Sequence, residues 1–276
     1  MNSKRVLITG TMRSGTTLIN RDVCDSILQI SAKSEITPLM ESMSLAARWR
    51  KNYEKRRYQD WIVGDSLPDL IVDQTFDYLM PNSLDVRYQV GKDPSLTNYA
   101  DELLGLVLRK DILVLLCVRD PLDVISSAFQ VQKRQTYGHT KKFYVDEVFN
   151  QFVGLISLLD ASESTRNIHV INYERYVANP NKSLGEISKW LEVGYAKTDF
   201  KNIQFEVDHN DPYTSILLNK APSSESIGRY KQDLTSIERH YLTHVFSGIR
   251  HRLGYESMPF SPYLKTLGEL KTRFWN

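Results

Sequence analysis

Short apolar runs rich in valine, isoleucine and leucine alternate along the chain with longer stretches of helical periodicity. This alternation is typical of βα units, in which parallel strands are buried between helices. The pattern predicts a first helix at residues 15–29 and four buried strands, at residues 5–9, 87–90, 112–118 and 167–172. We therefore predict an α/β fold with a central parallel sheet flanked by helices.

Local signals predict where the later helices begin and end. Residues 183–186 and 235–238 both have the spacing of a capping box, in which a hydroxyl and a carboxylate satisfy two orphan amides at a helix start. Gly254 is placed to end the last long helix, because glycine readily takes the left-handed conformation that follows a helix. Two stretches, residues 61–86 and 202–226, are predicted to form surface loops or irregular helices. The first is acidic, and the second is polar and contains two prolines.

Size and charge limit the function classes. The 276 residues, 41% of them hydrophobic, suffice for one large domain, and we expect a single domain over residues 1–276. The net charge is only +2, which argues against a protein that wraps nucleic acid, and we expect no nucleic-acid partner. Charge is concentrated in three stretches, which are basic at residues 48–57 and 133–142 and acidic at 60–85. One interpretation is that all three are solvated faces. The other is that the two basic runs form a rim that attracts an anionic substrate.

Cysteine usage and the N-terminus bear on location. Cys24 and Cys117 lie in apolar runs and are too few for a disulfide scaffold, which suits a reducing compartment. The N-terminus leads into the first predicted strand without a signal-peptide pattern, so we expect a cytoplasmic location. The most apolar stretch, residues 103–118, is interrupted by three charged residues and is predicted as two elements rather than a membrane span.

The most informative segment is the turn between the first predicted strand and the first helix. Such a turn directs backbone N–H groups and the positive end of the helix dipole at one point, which suits a phosphate. Gly10 and Gly15 allow close backbone approach. The hydroxyls of Ser14, Thr16 and Thr17 can donate to phosphate oxygens.

The turn departs from a nucleotide-hydrolysing motif at one decisive position. Its spacing is similar to the Walker A pattern, but Thr16 stands where that pattern requires lysine. Without the lysine and an acidic partner for Mg²⁺, triphosphate hydrolysis lacks its phosphate clamp and its metal seat. A P-loop kinase or nucleotidase with a degenerate Walker A is one alternative, and a catalytically silent nucleotide-binding protein is another.

A second anion site is predicted where the strand at residues 112–118 ends. Arg119 leaves the carboxyl end of this strand, which is where open α/β sheets bind ligands. Pro121 opens the next helix, and Ser127 follows about two turns later. Arg119 and Ser127 in these positions can hold a second phosphate.

Together the two clusters resemble the sulfotransferases that use 3′-phosphoadenosine 5′-phosphosulfate (PAPS). In that family a glycine-rich turn holds the 5′-phosphosulfate, and an Arg and a Ser eight residues apart hold the 3′-phosphate. Residues 13–17, beginning at Arg13, resemble the first motif, and Arg119 with Ser127 has the interval of the second. The resemblance implies a P-loop-like three-layer fold, a PAPS co-substrate and no required metal.

Three further segments extend the resemblance over most of the chain. Tyr173 begins a segment similar to one in which the Tyr lies against the adenine. Ser226 and Arg229 fall in a segment similar to the one that closes over the 3′-phosphate. Lys92, in a Lys-Asp-Pro sequence, resembles an element near the sulfuryl group.

The form of the turn, with Glu35 about twenty residues beyond it, is most similar to the tyrosylprotein and carbohydrate sulfotransferase branch. The chain departs from the tyrosylprotein pattern at Asn98, which falls near the place of a further lysine. The resemblance implies in-line sulfuryl transfer with Glu35 as base, Arg13 as the cation at the sulfuryl group and Lys92 as a second cation. The alternative to a catalytic role is that Glu35 is an exposed loop carboxylate.

The acceptor is predicted only by chemical class. It is a hydroxyl-bearing molecule: a carbohydrate, a lipid-linked alcohol, a small natural product or a tyrosine. Variable segments at about residues 39–86 and 132–144 are expected on the substrate side, and a homo-oligomer is compatible with the sequence. His240 and His244 have the spacing of a zinc pair, but no nearby carboxylate completes a site, and no metal site is predicted.

Overall fold

The computed structural model describes residues 3–27, 29–54, 66–83, 85–135, 139–196, 200 and 220–255. Five parallel strands form one sheet in the order β2-β3-β1-β4-β5. The strands are β1 (Lys4–Gly10), β2 (Ile30–Glu35), β3 (Tyr88–Lys92), β4 (Leu113–Val118) and β5 (Ile168–Asn172).

Helices within the described residues cover both faces of the sheet. The first six are α1 (Thr16–Ser26), α2 (Thr37–Glu54), α3 (Leu67–Leu79), α4 (Ala100–Lys110), α5 (Pro121–Arg134) and α6 (Lys141–Ser162). The later ones are α7 (Tyr173–Ala178), α8 (Pro180–Trp190), α9 (Tyr230–Asp233), α10 (Ser236–Val245) and α11 (Ser247–Arg252). Two 3₁₀ helices lie at Pro94–Tyr99 and Ser224–Ser226.

The sheet separates two apolar clusters. On one face Leu7 of β1 packs with buried residues of α2 to α6. On the other face Val6 and Ile8 pack with residues of α1, α7 and α8. Successive side chains of a strand point to opposite faces, so β1 is buried on both sides, and this explains its continuous apolar sequence.

The order of the strands determines where a ligand can bind. The chain runs from β1 through β2 to β3 on one side and then crosses to β4 on the other side of β1. Such a reversal opens a crevice at the carboxyl ends of the central strands, the usual ligand site of parallel α/β sheets. The turn after β1 and Arg119 after β4 both lie at this edge.

All four predicted strands are present, as β1, β3, β4 and β5. The first helix ends at Ser26 instead of residue 29, because Ile27 leaves the helix and pairs with Tyr195 in an isolated bridge. Residues 103–118 form most of α4 and then β4, as predicted. Within residues 61–86, residues 67–79 form the regular helix α3 instead of a loop. Of the loop predicted at 202–226, residues 202–219 lie outside the described residues. Among the described helices, none is both long and apolar enough to cross a membrane.

One predicted helix start is confirmed and one is wrong. Thr235 and Glu238 form the capping box of α10. The capping box predicted at residues 183–186 is absent, because Asn179 caps α8 by accepting from the Lys182 amide and Pro180 opens the helix earlier. Gly254 has a positive φ of 77° directly after α11, as predicted, although the last long helix is divided into α10 and α11.

An acidic stripe on α3 accounts for part of the charge pattern. Asp69, Asp73 and Asp77 are spaced four residues apart and therefore share one face of the helix. Their ion-pair partners come from three neighbouring elements: Arg50 of α2, Arg109 and Lys110 of α4, and Arg5 of β1. The basic run at 48–57 thus contributes at least one residue to the fold, while its residues 55–57 lie outside the described residues.

Candidate active site

The turn between β1 and α1 ends in a glycine that caps the helix without a side chain. Gly15 is the N-cap residue of α1 and has a φ of 96°, and no side chain caps the helix. The first amide bonded within the helix is that of Ile19, which donates to the Gly15 carbonyl at 3.0 Å. The amides of Thr16 and Thr17 precede it and have no acceptor within the helix. An anion at this end would satisfy them and would complement the helix dipole.

Close packing around the turn explains its two glycines. A Cβ at Gly10 would lie 2.5 Å from the Cys117 carbonyl oxygen of β4. A Cβ at Gly15 would lie 2.4 Å from the ring of Tyr173, which begins α7. The turn is therefore enclosed by β4 on one side and by an aromatic ring on the other.

Arg13 joins the two clusters that the sequence predicted as phosphate sites. Its backbone has a φ of 62°, in the left-handed region that few residues other than glycine adopt. Its Nε donates to Ser127 Oγ of α5 at 3.1 Å. Its carbonyl oxygen accepts from Arg119 Nη1 at 3.0 Å. Arg13, Arg119 and Ser127 therefore lie together at the switch point of the sheet.

Arg119 is almost completely buried, with 6% of its surface exposed, among residues predicted to bind the nucleotide. Its Nη2 donates to the Ser226 carbonyl at 2.7 Å. Its guanidinium lies 4.4 Å from the centroid of the Tyr173 ring, within the range of a cation–π interaction. The Tyr173 hydroxyl is 2.8 Å from Ser226 Oγ. Three chain segments distant in sequence thus converge on Arg119.

Lys92 connects the end of β3 to both β2 and the turn. Its side chain is buried, and its Nζ donates to Thr17 Oγ1 at 2.9 Å. The same Nζ forms an ion pair with Glu35, whose strand neighbour in the register of β2 and β3 is Lys92. The Glu35 side chain is 58% exposed at the last position of β2, so it is a strand-end carboxylate rather than a loop residue. Glu35, Lys92 and the turn thus form one continuous site.

Two hydroxyls of the turn are buried without a hydrogen-bond partner in the described part of the chain. Ser14 Oγ and Thr11 Oγ1 are inaccessible to solvent and find no hydrogen-bond partner among the described residues. Arg119 Nε is in the same situation. Buried polar groups are normally hydrogen-bonded, so an orphaned set around one turn fits a site that a ligand completes. Thr16 is also buried, at the first position of α1.

The Arg229 side chain forms an ion pair outside this cluster. Its side chain is 46% exposed and pairs with Asp233 at 3.2 Å. The segment that carries it is nevertheless fixed to the site, because Asp123 accepts from the amides of Gly228 at 2.7 Å and Tyr230 at 3.1 Å. Burial raises the pKa of Asp123, and these two amides partly offset that effect.

Two supporting residues are not evident from sequence. Asp123 stands in the first turn of α5, between Arg119 and Ser127, where an acidic residue is ordinary at a helix start. Gln151 of α6 accepts from the Met12 amide of the turn at 2.6 Å, across a separation of 139 residues. Among the described residues, no group of three or more His, Cys, Asp or Glu side chains is arranged to hold a metal ion.

Comparison with known families agrees with this geometry. The family model for the sulfotransferase family matches residues 5–197, which include the turn, Glu35, Lys92, Arg119 and Tyr173. The chain belongs to the sulfotransferase family. The match does not specify a branch, so the similarity to the tyrosylprotein and carbohydrate branch stays a prediction. No curated protein sequence matches this sulfotransferase.

Solved structures share the fold of this sulfotransferase at low sequence identity. The sulfotransferase domain from the curacin biosynthetic pathway is 15% identical, with a TM-score of 0.58 and coverage of 94% of this chain and 99% of that chain. Mouse sulfotransferase SULT7A1 complexed with PAP is 14% identical, with a TM-score of 0.54 and coverage of 98% and 88%. A sulfotransferase from Alicyclobacillus acidocaldarius is 13% identical, with a TM-score of 0.54 and coverage of 92% and 95%. These matches confirm the predicted P-loop-like α/β fold.

Proposed function

We propose that this sulfotransferase takes its sulfuryl group from PAPS and transfers it to an acceptor hydroxyl. The observation that carries the proposal is the meeting of two anion sites at Arg13, which contacts both Ser127 and Arg119. Two phosphate positions that share one arginine suit a nucleotide phosphorylated on both its 3′ and 5′ oxygens. The structural neighbour SULT7A1, which is complexed with PAP, supports the same ligand class.

Each part of the nucleotide has a set of residues suited to hold it. The positive end of α1 suits the 5′-phosphosulfate, and Tyr173, which packs on Gly15 and beneath Arg119, suits the adenine. The residues proposed for the 5′ side are Arg13, Ser14, Gly15, Thr16 and Thr17. Those proposed for the 3′-phosphate are Arg119, Ser127, Ser226 and Arg229.

The proposed reaction needs a base, a positive environment for the leaving group and alignment of the reactants. Glu35 accepts the proton of the acceptor hydroxyl as the new bond between acceptor oxygen and sulfur forms. The bond between sulfur and the 5′-phosphate oxygen breaks, and that oxygen keeps the electron pair. Arg13 and Lys92 neutralise the charge that develops there. The chemistry asks for no metal, because these two cations are supplied by the chain.

The contacts of Lys92 support its place in this scheme. One ammonium group reaches both Glu35 and the Thr17 hydroxyl, so it lies between the proposed base and the proposed phosphate seat. The exposed position of Glu35 leaves room for an acceptor to approach it from solvent. Lys92 is thereby able to orient the base and to face the leaving group.

The acceptor side is proposed to lie on the variable segments 39–86 and 132–144, within a single domain spanning the chain. The described parts of these segments include α2, α3 and the first turn of α6. Residues 55–65, 84 and 136–138 lie outside the described residues. A carbohydrate, a lipid-linked alcohol, a small natural product or a tyrosine fits the proposal equally.

Replacement of Glu35 by Gln tests the proposed base. We expect PAP affinity within about twofold of wild type, since the amide keeps the shape of the side chain. Transfer from PAPS to a panel of the four acceptor classes should fall by about 10²–10⁴-fold, the range for loss of a general base. Affinity is measured by calorimetry and transfer by release of PAP.

Glu186→Gln is the matched control, because Glu186 is an exposed carboxylate of α8 that lies outside the proposed nucleotide site and the variable segments. Its transfer rate should equal that of wild type. Near-normal transfer by Glu35→Gln would remove Glu35 from the mechanism.

A further inference from the structure

A chain of polar side chains leads from the 3₁₀ helix after β3 through α6 to the phosphate-binding turn. Gln151, in the middle of α6, is 0% exposed, and its Oε1 accepts from the Met12 amide at 2.6 Å. Its Nε2 donates to Glu147 Oε1 at 2.9 Å. The same oxygen of Glu147 accepts from Asn98 Nδ2 at 2.7 Å. Three side chains therefore link the 3₁₀ helix after β3 to the turn.

The bonded amide belongs to Met12, and the next residue has an unfavourable backbone conformation. Arg13 has a φ of 62°, and a residue with a Cβ keeps such a conformation only where its surroundings fix it. Gln151 holds the peptide between Thr11 and Met12, one residue before Arg13, and Arg119 holds the Arg13 carbonyl oxygen. The backbone around Arg13 is thus held before and after this residue by side chains distant in sequence.

Glu147 determines which end of the Gln151 amide faces the turn. A glutamine amide has two nearly equal orientations, one with oxygen and one with nitrogen toward a given neighbour. A carboxylate oxygen accepts from the Gln151 nitrogen, so it directs Oε1 toward the Met12 amide. Asn98 in turn holds Glu147 in place. An apolar residue would fill the same core position without the cost of burying an amide, so packing alone does not account for Gln151.

We propose that Gln151, oriented by Glu147, is a positioning residue that fixes Arg13 for contact with the 5′-phosphate of the nucleotide. The proposal rests on the proposed function, in which Arg13 lies at that phosphate. It assigns to α6 a role in setting the shape of the turn from the opposite side of the core.

An exchange of the two side chains tests the proposal. Gln151→Glu keeps an acceptor for the Met12 amide but places two carboxylates against each other. The double variant Glu147→Gln/Gln151→Glu restores the pattern, because the amide introduced at position 147 donates to the carboxylate introduced at position 151 and still accepts from Asn98. Affinities for PAP, 5′-AMP and 3′-AMP are measured by calorimetry on the full-length chain.

We expect Gln151→Glu to weaken PAP and 5′-AMP about tenfold, the loss of roughly one hydrogen bond to a charged ligand group. Binding of 3′-AMP should be weakened much less than that of PAP, since this ligand has no 5′-phosphate and its 3′-phosphate still meets Arg119 and Ser127. The double variant should recover most of the lost affinity. If Gln151→Glu does not fold, Gln151→Met, of similar length and without an acceptor, takes its place with the same expected pattern.

Three results would overturn the proposal: wild-type affinity in the single variant, equal losses for all three ligands, or no recovery in the double variant. Failure of the wild-type protein to bind PAP would instead contradict the proposed function. The two proposals therefore fail in different measurements.

Discussion

Arg13 makes two separate contacts, one through its side chain and one through its backbone. The side chain contacts Ser127, and the carbonyl oxygen accepts from Arg119, so one residue connects the turn to the end of β4 and to α5. Such a connection requires a turn of defined shape. The shape depends on Gly15, two residues further on, whose φ of 96° is larger than the 62° of Arg13.

Replacement of Gly15 by Ala is expected to be strongly destabilising. The φ of 96° is unfavourable for any residue with a Cβ, and the added atom would lie 2.4 Å from the Tyr173 ring. The two effects together should lower the free energy of unfolding by about 2–4 kcal/mol, and the displaced ring should weaken PAP binding. Denaturant unfolding and calorimetry measure the two losses.

Gly185→Ala is the matched control for this substitution. Gly185 lies inside α8, and no atom of the described residues stands within 4 Å of the added Cβ. Alanine favours a helix interior, so this variant should be more stable than wild type by about 0.5–1 kcal/mol. Equal unfolding free energies for the two variants would contradict the steric account of Gly15.

At the scale of elements, burial decided which strands were predictable. β1 and β4 lie inside the sheet and read as continuous apolar runs. Among the described residues, β2 lies at the edge of the sheet beside β3. Its mixed sequence is Ile-Ser-Ala-Lys-Ser-Glu, so no apolar run marks it. An edge strand has one neighbour and needs less apolar surface. The other edge strand, β5, was predicted because its sequence Ile-His-Val-Ile-Asn keeps three apolar residues. The family resemblance implied a role for Glu35, but the sequence did not indicate its position at a strand end.

The parts of the candidate site that short sequence motifs form were predictable, whereas supporting residues distant in sequence were not. The turn and the Arg119–Ser127 interval are short sequence patterns with a direct physical meaning. Gln151 and Glu147 are four residues apart on α6, and such a polar pair usually indicates an exposed helix face. Gln151 and Glu147 support the turn because α6 packs behind it, and the sequence does not show that packing.

The acidic stripe of α3 gives the fold a pH dependence that can be isolated at Asp77. Burial acts to raise the pKa of Asp77, but the hydrogen bonds and charges of Lys110 and Arg5 outweigh it and hold the pKa below its ordinary value of 3.8. Because the folded state binds this proton less readily than the unfolded state, the ionised carboxylate stabilises the fold above the ordinary pKa. That contribution is lost as the pH falls through the lowered pKa.

Replacement of Asp77 by Asn should therefore destabilise the protein at pH 7 and much less in acid. The side chain is 40% exposed, so solvent screening limits the loss to about 0.5–1 kcal/mol at low salt. The difference from wild type should persist down to about pH 4 and shrink below it. Denaturant unfolding at pH 7, 5 and 3 measures it.

Comparison of the two proteins at each pH cancels the other carboxylates. Burial raises the pKa of Asp93 and Asp123, so both contribute in the opposite direction, toward greater stability in acid. A second check is salt, because 1 M NaCl should reduce the difference at pH 7. A difference that stays constant from pH 7 to pH 3 would show that the ion pairs of Asp77 contribute nothing.

At the scale of the whole molecule, the proposed nucleotide site joins segments that are distant in the chain. The turn after β1, the end of β4, the start of α7 and the 3₁₀ helix Ser224–Ser226 all contribute to it. A ligand that bridges these segments binds only the folded state and therefore stabilises the whole fold. The size of this stabilisation and its dependence on Mg²⁺ distinguish the proposed function from its alternatives.

PAP without Mg²⁺, at a hundredfold excess over its dissociation constant, should raise the free energy of unfolding by about 3 kcal/mol. For a chain of this size the thermal midpoint should rise by about 5–10 °C. Arg119→Ala should lose most of that shift, because Arg119 holds both the turn and Ser226. A response only to ATP with Mg²⁺ would favour a degenerate P-loop kinase and contradict the PAPS proposal. A PAP response without any turnover of PAPS would favour a catalytically silent binding protein. Turnover measured on the same sample therefore distinguishes an active sulfotransferase from a silent binding protein.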